Sequence, residues 1–207
     1  MPEPALPAHF FARVDESPDA EFYQTPRFVL HIDPATVAAL TELYRDELAA
    51  GARVLDLMSS WVSHLPTDVT YARVSGLGMN RAELEANPRL TDRAVHDLNA
   101  DPVLPYADES FDAVLCAVSV QYLTQPIEVF RACARVLRPG GKLVIATSHR
   151  LFPTKAIAAW RTLGPADRTR LLAGYLERAG GFAPPRFVDR SPPLADPLWV
   201  VTAERVR

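Results

Sequence analysis

Arg53-Val54-Leu55-Asp56-Leu57-Met58-Ser59-Ser60-Trp61 is the stretch that decides the fold. It starts as a short apolar run broken only by an acid, the pattern of a strand buried in a parallel sheet with a loop at its carboxyl end. Ligands of such sheets lie in the crevice outside the carboxyl ends of the strands, where the strand order reverses. The loop after this strand has no glycine, although glycine is the residue that lets a backbone lie close against a ligand. Met58, Ser59, Ser60 and Trp61 stand there instead.

Strands and helices alternate outward from this point. Downstream, the pattern predicts a strand over Val69–Val74 running to Gly76-Leu77-Gly78. A helix over Arg81–Asn87 follows, capped by Asn80 and stopped by Pro88, then a short strand over Leu90–His96. Phe111–Ala117 is a continuous apolar run, as expected of a strand buried on both faces. A helix over Ile127–Leu137 turns Val129, Phe130, Cys133, Val136 and Leu137 inward. The turn Arg138-Pro139-Gly140-Gly141 leads into the buried strand Lys142–Thr147. Helices near Thr154–Leu163 and Ala166–Ala179 precede an antiparallel closing pair, Phe187–Asp189 and Leu198–Ala203.

Upstream, Asp33-Pro34 supplies the cap and first-turn proline of a helix whose Val37, Leu40, Leu43, Tyr44 and Leu48 share one face. Gly51 ends it. The alternation implies an α/β fold, a parallel sheet with helices on both faces and an antiparallel edge. Residues 1–31 read as an N-terminal arm or lid, and 32–207 as one domain.

Composition narrows the functional classes. A length of 207 residues suits one α/β domain. The formal net charge of −3 gives no general attraction to nucleic acid or to an anionic membrane. No apolar stretch is long enough to span a bilayer, and the N-terminus lacks the pattern of a signal peptide, so a cytoplasmic protein is expected. Cys116 and Cys133 lie among apolar and helical residues without metal-type spacing, which predicts buried thiols and no metal site.

Four loops fall where a ligand should lie. In the first, Asp56–Leu65, Asp56 can accept hydrogen bonds from a ligand ammonium, and Ser59, Ser60 and Ser63 can donate. The plainer reading is that Asp56 caps a following helix. In the second, Gly76–Asn80, glycines let a ribose or purine approach, Met79 offers a polarizable face and Asn80 can bond hydroxyls. Asn80 equally suits a helix cap. In the third, Asp97 suits an exocyclic amine with the neighbouring amide beside it, or else merely caps a turn. The fourth, Ala117–Tyr122, faces the reactive end of a ligand.

Together these segments resemble class I S-adenosylmethionine-dependent methyltransferases, over about residues 50–204. Four pieces carry the likeness: Val54-Leu55-Asp56; Asp97 with Leu104-Pro105-Tyr106 and Ser110-Phe111-Asp112; Arg135-Val136-Leu137-Arg138-Pro139-Gly140-Gly141; and Lys142–Thr147. Their order is that of the type-11-like branch. The resemblance implies a Rossmann-like three-layer sandwich whose seven-stranded, mostly parallel sheet has an antiparallel C-terminal strand. It implies S-adenosyl-L-methionine as cofactor, held along Asp56, Met58, Ser59, Ser60, Gly78, Met79, Asn80, Asp97, Leu98 and Ser119.

Two departures stand out. Met58, Ser60 and Val62 occupy positions where the family usually has glycine, and Gly78 occupies that of the acid that usually binds the ribose hydroxyls. The block DLMSSWVSHLP, with the segments around it, looks like an uncharacterised subgroup in which this loop is itself the pattern.

The expected activity is methyl transfer to a small-molecule acceptor. His64, Tyr122 and His149 are the candidate catalytic residues, and Arg27 a candidate partner for a carboxylate. The runner-up is a methyltransferase-like binding or scaffold protein without catalysis. A nicotinamide dehydrogenase is excluded because no Gly-x-Gly-x-x-Gly follows the first strand. A nucleic-acid methyltransferase is disfavoured by the lack of a basic stripe. The acceptor and the oligomeric state stay open at this level.

Overall fold

A computed structural model describes residues 6–206. Among these residues the strands are β1 (Arg53–Leu57), β2 (Arg73–Gly78), β3 (Asp92–Val95), β4 (Phe111–Ala117), β5 (Leu137–Thr147), β6 (Arg186–Asp189) and β7 (Trp199–Glu204). They form one sheet in the order β3-β2-β1-β4-β5-β7-β6. The first five pair in parallel, β7 runs antiparallel to β5, and β6 antiparallel to β7. Strand order reverses between β1 and β4, so the crevice expected of such a sheet opens there.

The helices are α1 (Asp19–Phe22), α2 (Pro34–Glu47), α3 (Arg81–Ala86), α4 (Pro126–Val136), α5 (Ala158–Thr162) and α6 (Pro165–Ala179). Successive side chains of a strand point to opposite faces. Val54 accordingly packs with Leu40, Leu43 and Tyr44 of α2. Leu55 and Leu57 pack with Val129 and Phe130 of α4 and Tyr175 of α6 on the other face. This is the Rossmann-like three-layer sandwich. The expected faces of α2 and α4 are largely the buried ones, and Asp33 caps α2 by accepting Thr36 N–H at 2.9 Å. Cys116 and Cys133 are both buried. No helix among the described residues is long and apolar enough to cross a membrane.

Several boundaries differ from the sequence reading. β2 begins at Arg73, so the Gly76-Leu77-Gly78 stretch lies inside the strand and Val69 outside it. Glycine is needed there for packing: a Cβ on Gly76 would lie 2.3 Å from a Leu90 methyl, and one on Gly78 2.1 Å from the Ser59 carbonyl oxygen. The connection from β1 to β2 contains no helix, which removes the idea that Asp56 caps one. The Arg138–Gly141 turn is absorbed as an irregularity at the start of β5, opposite a register shift between Phe111 and Ala113. The helix expected over Thr154–Leu163 is only Ala158–Thr162. α2 ends at Glu47, ahead of Gly51, which takes φ +77 in the turn into β1.

Candidate functional site

A cleft of about 1180 Å³, part of it facing solvent, lies over the carboxyl ends of β1, β2, β3 and β4. Asp56, in β1, is 4% exposed and forms its floor. Burial pushes the Asp56 carboxyl up to about 6, against the pull of two hydroxyls. Those hydroxyls, of Ser59 and Ser63, both donate to Asp56 Oδ2, at 2.6 and 2.7 Å. Asn87 Nδ2 donates to Ser63 Oγ and to the Ser60 carbonyl, both at 2.9 Å. Ser59 and Ser63 are therefore committed to holding Asp56, and the Ser60 hydroxyl is taken by Glu83. They do not present open donors to a ligand, as the sequence reading expected.

The loop keeps a glycine-like backbone without glycine. Met58 has φ +58 and His64 φ +54; across the crevice Val118, after β4, has φ +49. For a β-branched residue this is an outlier, and strained backbone of this kind collects at ligand sites. Ser59 N–H donates to the Leu77 carbonyl at 2.8 Å, which seats the loop against the end of β2. The missing side chain at Gly78 makes this close approach possible.

An acid nonetheless reaches this corner. Glu83, in the first turn of α3, accepts from Ser60 Oγ at 2.6 Å and from Arg27 N–H at 2.7 Å. Sequence reading missed it because the family places its acid on the strand. The signal was available: Asn80 and Glu83 have capping-box spacing. Asn80 accepts Glu83 N–H at 3.1 Å, while its Nδ2 donates to the Tyr23 and Gln24 carbonyls. Asn80 thus spends its amide on shaping the cleft. Gly78, Met79, Leu98 and Ser119 all line it. Asp97 lines it too, with Oδ1 accepting Asn99 N–H at 2.9 Å and Oδ2 carrying no partner among the described residues. Cys116 Sγ and Ser119 Oγ are 3.3 Å apart.

The three catalytic candidates part company. His64 lines the cleft with a buried Nδ1 that has no hydrogen-bond partner among the described residues. Burial, with His31 nearby, pulls it down to about 4, so the imidazole is neutral. Tyr122 also lines the cleft, but its hydroxyl accepts Phe152 N–H at 2.8 Å and burial raises its pKa. His149 lines neither this cleft nor the one beside it; it is half-exposed, with Nε2 3.0 Å from Asp196 Oδ1. His31, not among the three, lines both clefts.

The segment 22–32, a strap, borders the cleft through Tyr23, Arg27, Val29, His31 and Ile32. Arg27 does not reach free into it: Nη2 donates to the Phe22 carbonyl at 2.8 Å, and the guanidinium carbon lies 4.4 Å from the Phe22 ring centroid and 5.5 Å from that of Phe152. Trp61 Nε1 donates to the Val29 carbonyl at 3.0 Å. Behind the strap, the fully buried Lys155 donates to the Ser17 carbonyl at 2.6 Å and lies 3.2 Å from Asp19 Oδ1, and Asp19 also accepts Arg13 and Asn99. Neither Met58 nor Trp61 plugs the crevice.

The donor set fits S-adenosylmethionine. Asp56, Glu83 and Asp97 line the cleft without a cationic side chain among the described residues paired to them, whereas Asp19 is taken by Arg13 and Lys155; three such acids suit a ligand bearing a sulfonium and an ammonium. Fold and cleft together define an open α/β protein with an acid-lined crevice at its switch point. Residues 53–145 match the family described as a methyltransferase domain. Methyltransferase GfsG of Streptomyces halstedii is 32% identical over 158 residues, 66% of this chain and 55% of that protein. A ubiquinone biosynthesis O-methyltransferase of Xanthomonas oryzae pv. oryzae is 34% identical over 139 residues, 59% of this chain and 53% of that one. The chain spans little more than half the length of these curated relatives.

Among solved structures, an S-adenosylmethionine-dependent methyltransferase from Mesorhizobium loti aligns with TM-score 0.56 at 20% identity, covering 81% of this chain and 98% of that one. The [4+2]-cyclase SpnF aligns with TM-score 0.60 at 18% identity, covering 81% and 80%. Two such different descriptions on one fold show that the fold alone does not choose the reaction. Over residues 53–145 the chain carries the methyltransferase-domain match, and its fold is that of S-adenosylmethionine-dependent methyltransferases.

Proposed function

We propose that the protein transfers a methyl group from S-adenosylmethionine to a hydroxyl of a small molecule, with residues 6–31 of the N-terminal arm as its lid; residues 1–5 of that arm lie outside the described residues. The observation that carries this reading is the acid-lined cleft at the β1/β4 switch point, with the neutral His64 and His31 on its wall. The O-methyltransferase named above supports oxygen as the acceptor atom.

Asp56 and its two serines would hold the cofactor's ammonium, and Asp97 its base amine. Glu83 takes the corner where Gly78 leaves no room for an acid. When bound, the cofactor supplies a methyl group on a sulfonium, an electrophile with a good leaving group. What remains for the protein is placement and one proton. His64 keeps an unpartnered Nδ1 and stays unprotonated at neutral pH, so it can take a hydroxyl proton. The Trp61–Val29 and Glu83–Arg27 bonds tie the strap down over the cleft and keep water out.

Isothermal titration with S-adenosylmethionine and with S-adenosylhomocysteine tests the reading. Binding of both is expected, weakened at least tenfold in Asp97→Ala with an unchanged circular-dichroism spectrum. Absence of heat with either ligand would leave a binding or scaffold protein.

A further inference from the structure

A second cleft, of about 730 Å³, adjoins the first and shares His31, Ile32, Val118, Tyr122 and Phe152 with it. One part of its wall is flat and aromatic. Phe152 stacks on Tyr122 with centroids 5.8 Å apart and planes at 30°, and His31 meets Phe152 edge-on at 5.4 Å. The Phe152 N–H bond to the Tyr122 hydroxyl fixes this pair. The far part is charged, with Arg150, Asp33 and Asp196.

The two acids there are already spent. Asp196 is 6% exposed; its oxygens accept Arg150 Nε at 3.1 and 3.0 Å and Asp33 N–H at 3.0 Å, and His149 Nε2 lies 3.0 Å away. Asp33 accepts Thr36 N–H and Asp196 N–H at the N-terminus of α2, whose dipole offsets its charge. Arg150 is different. Only its Nε is used, and its side chain is 57% exposed. Among the described residues neither terminal nitrogen has a partner, so the two-pronged face of the guanidinium is open. That face matches the geometry of a carboxylate.

We infer that the second cleft receives the methyl acceptor, and that this acceptor is an organic acid with a flat apolar body, its carboxylate on Arg150 and its hydroxyl toward the junction at His31. The inference rests on the methyltransferase reading for its chemistry, but the anion site stands on Arg150 and the aromatic wall alone. Asp196 acts as a positioning residue, holding Nε so that Nη1 and Nη2 face outward.

The test uses 3,4-dihydroxybenzoate and the uncharged 3,4-dihydroxybenzamide, titrated into the full chain with and without saturating S-adenosylhomocysteine. The acid is expected to bind at least tenfold more tightly than the amide. Arg150→Gln is expected to bring the two within about twofold, and Arg150→Lys to keep part of the preference; S-adenosylhomocysteine affinity and the melting temperature serve as controls for folding. Equal affinities in the wild type, no binding of either probe, or an acid preference that survives in Arg150→Gln would each overturn the assignment. If S-adenosylhomocysteine fails to bind while the Arg150-dependent preference persists, the methyltransferase reading falls and the anion site remains.

Discussion

The two edges of this sheet are built on different rules. At the amino edge, the motif residues that resemble the methyltransferase family bond to one another. Asp112 accepts Arg53 N–H at 2.7 Å and Arg53 Nε at 3.1 Å, and also takes Arg138. Arg135 donates to the Leu104 and Tyr106 carbonyls at 2.7 and 2.8 Å, and the Tyr106 ring meets Phe111 edge-on at 5.0 Å. These side chains form a bracket across the starts of β1, β4 and β5. At the carboxyl edge the familiar glycines are absent and the backbone is strained, with Met58, His64 and Val118 all at positive φ. Most of the segments that reveal the family are thus the ones that hold the fold. At the cleft, Asp56 and Asp97 share in the likeness, and the loop from Met58 to Val62 departs from it.

The largest effect expected from breaking this contrast is on ligand binding. Asp56→Ala should weaken S-adenosylhomocysteine at least a hundredfold, because a buried acid and the loop geometry of Ser59 and Ser63 go together. Titration calorimetry checks it, with circular dichroism confirming the fold. Asp112→Ala should do the reverse. It removes several part-buried hydrogen bonds, a cost of about 2 kcal/mol, while leaving ligand affinity within about twofold. Chemical denaturation and the same titration read the two arms. If the amino-edge variant loses the ligand, the two edges are not separable.

A pH experiment sharpens the contrast further. The folded state holds a proton on Asp56 up to about pH 6, whereas a free aspartate loses it near 3.8. More protons are bound folded than unfolded in that window, so Asp56 makes stability fall as pH rises from about 4 to 6. His64 runs the other way: its folded value of about 4 lies below 6.5, so the unfolded state binds more protons and stability rises with pH through the same window. In the wild type the two slopes largely cancel. Asp56→Asn should leave a stability that climbs between pH 4.5 and 6.5, and His64→Gln one that declines, each by on the order of 2 kcal/mol. Urea melts at the two pH values measure both. Parallel slopes in the two variants would mean that neither group is buried as described.

How much could be read from the sequence follows from the same division. A continuous apolar run located the strand Phe111–Ala117, and helical patterning the inward faces of α2 and α4, because burial leaves a mark in composition. The second strand was displaced because its glycines look like a turn; only the packing of Leu90 and of the Ser59 carbonyl against it explains them. At the site, topology picked out Asp56, Asp97 and His64, which share one cleft. It could not show that the serines face the acid, that Asn80 ties down the strap, or that His149 points to Asp196. Those are choices of rotamer and long-range partner, which leave no local pattern. Glu83 was missed although its capping-box spacing with Asn80 was legible, because its partners Ser60 and Arg27 lie on loops far away in sequence.

The smallest expected effect is the most direct probe of the variant loop. Met58 holds φ +58, a conformation that costs an L-residue about 1–2 kcal/mol and costs glycine almost nothing. Met58→Gly removes that strain. It also gives the unfolded chain more freedom, worth about 0.5–1 kcal/mol, and gives up the packing of a half-buried side chain against the core. These terms oppose one another, so the melting temperature should move by no more than about 3 °C, and S-adenosylhomocysteine affinity should stay within about threefold. That outcome would mean the loop keeps the shape a glycine would take and that Met58 merely tolerates it. A loss of binding beyond tenfold would instead make the Met58 side chain part of the wall against which the ligand lies, and the departure from glycine would then be a contact rather than a tolerance.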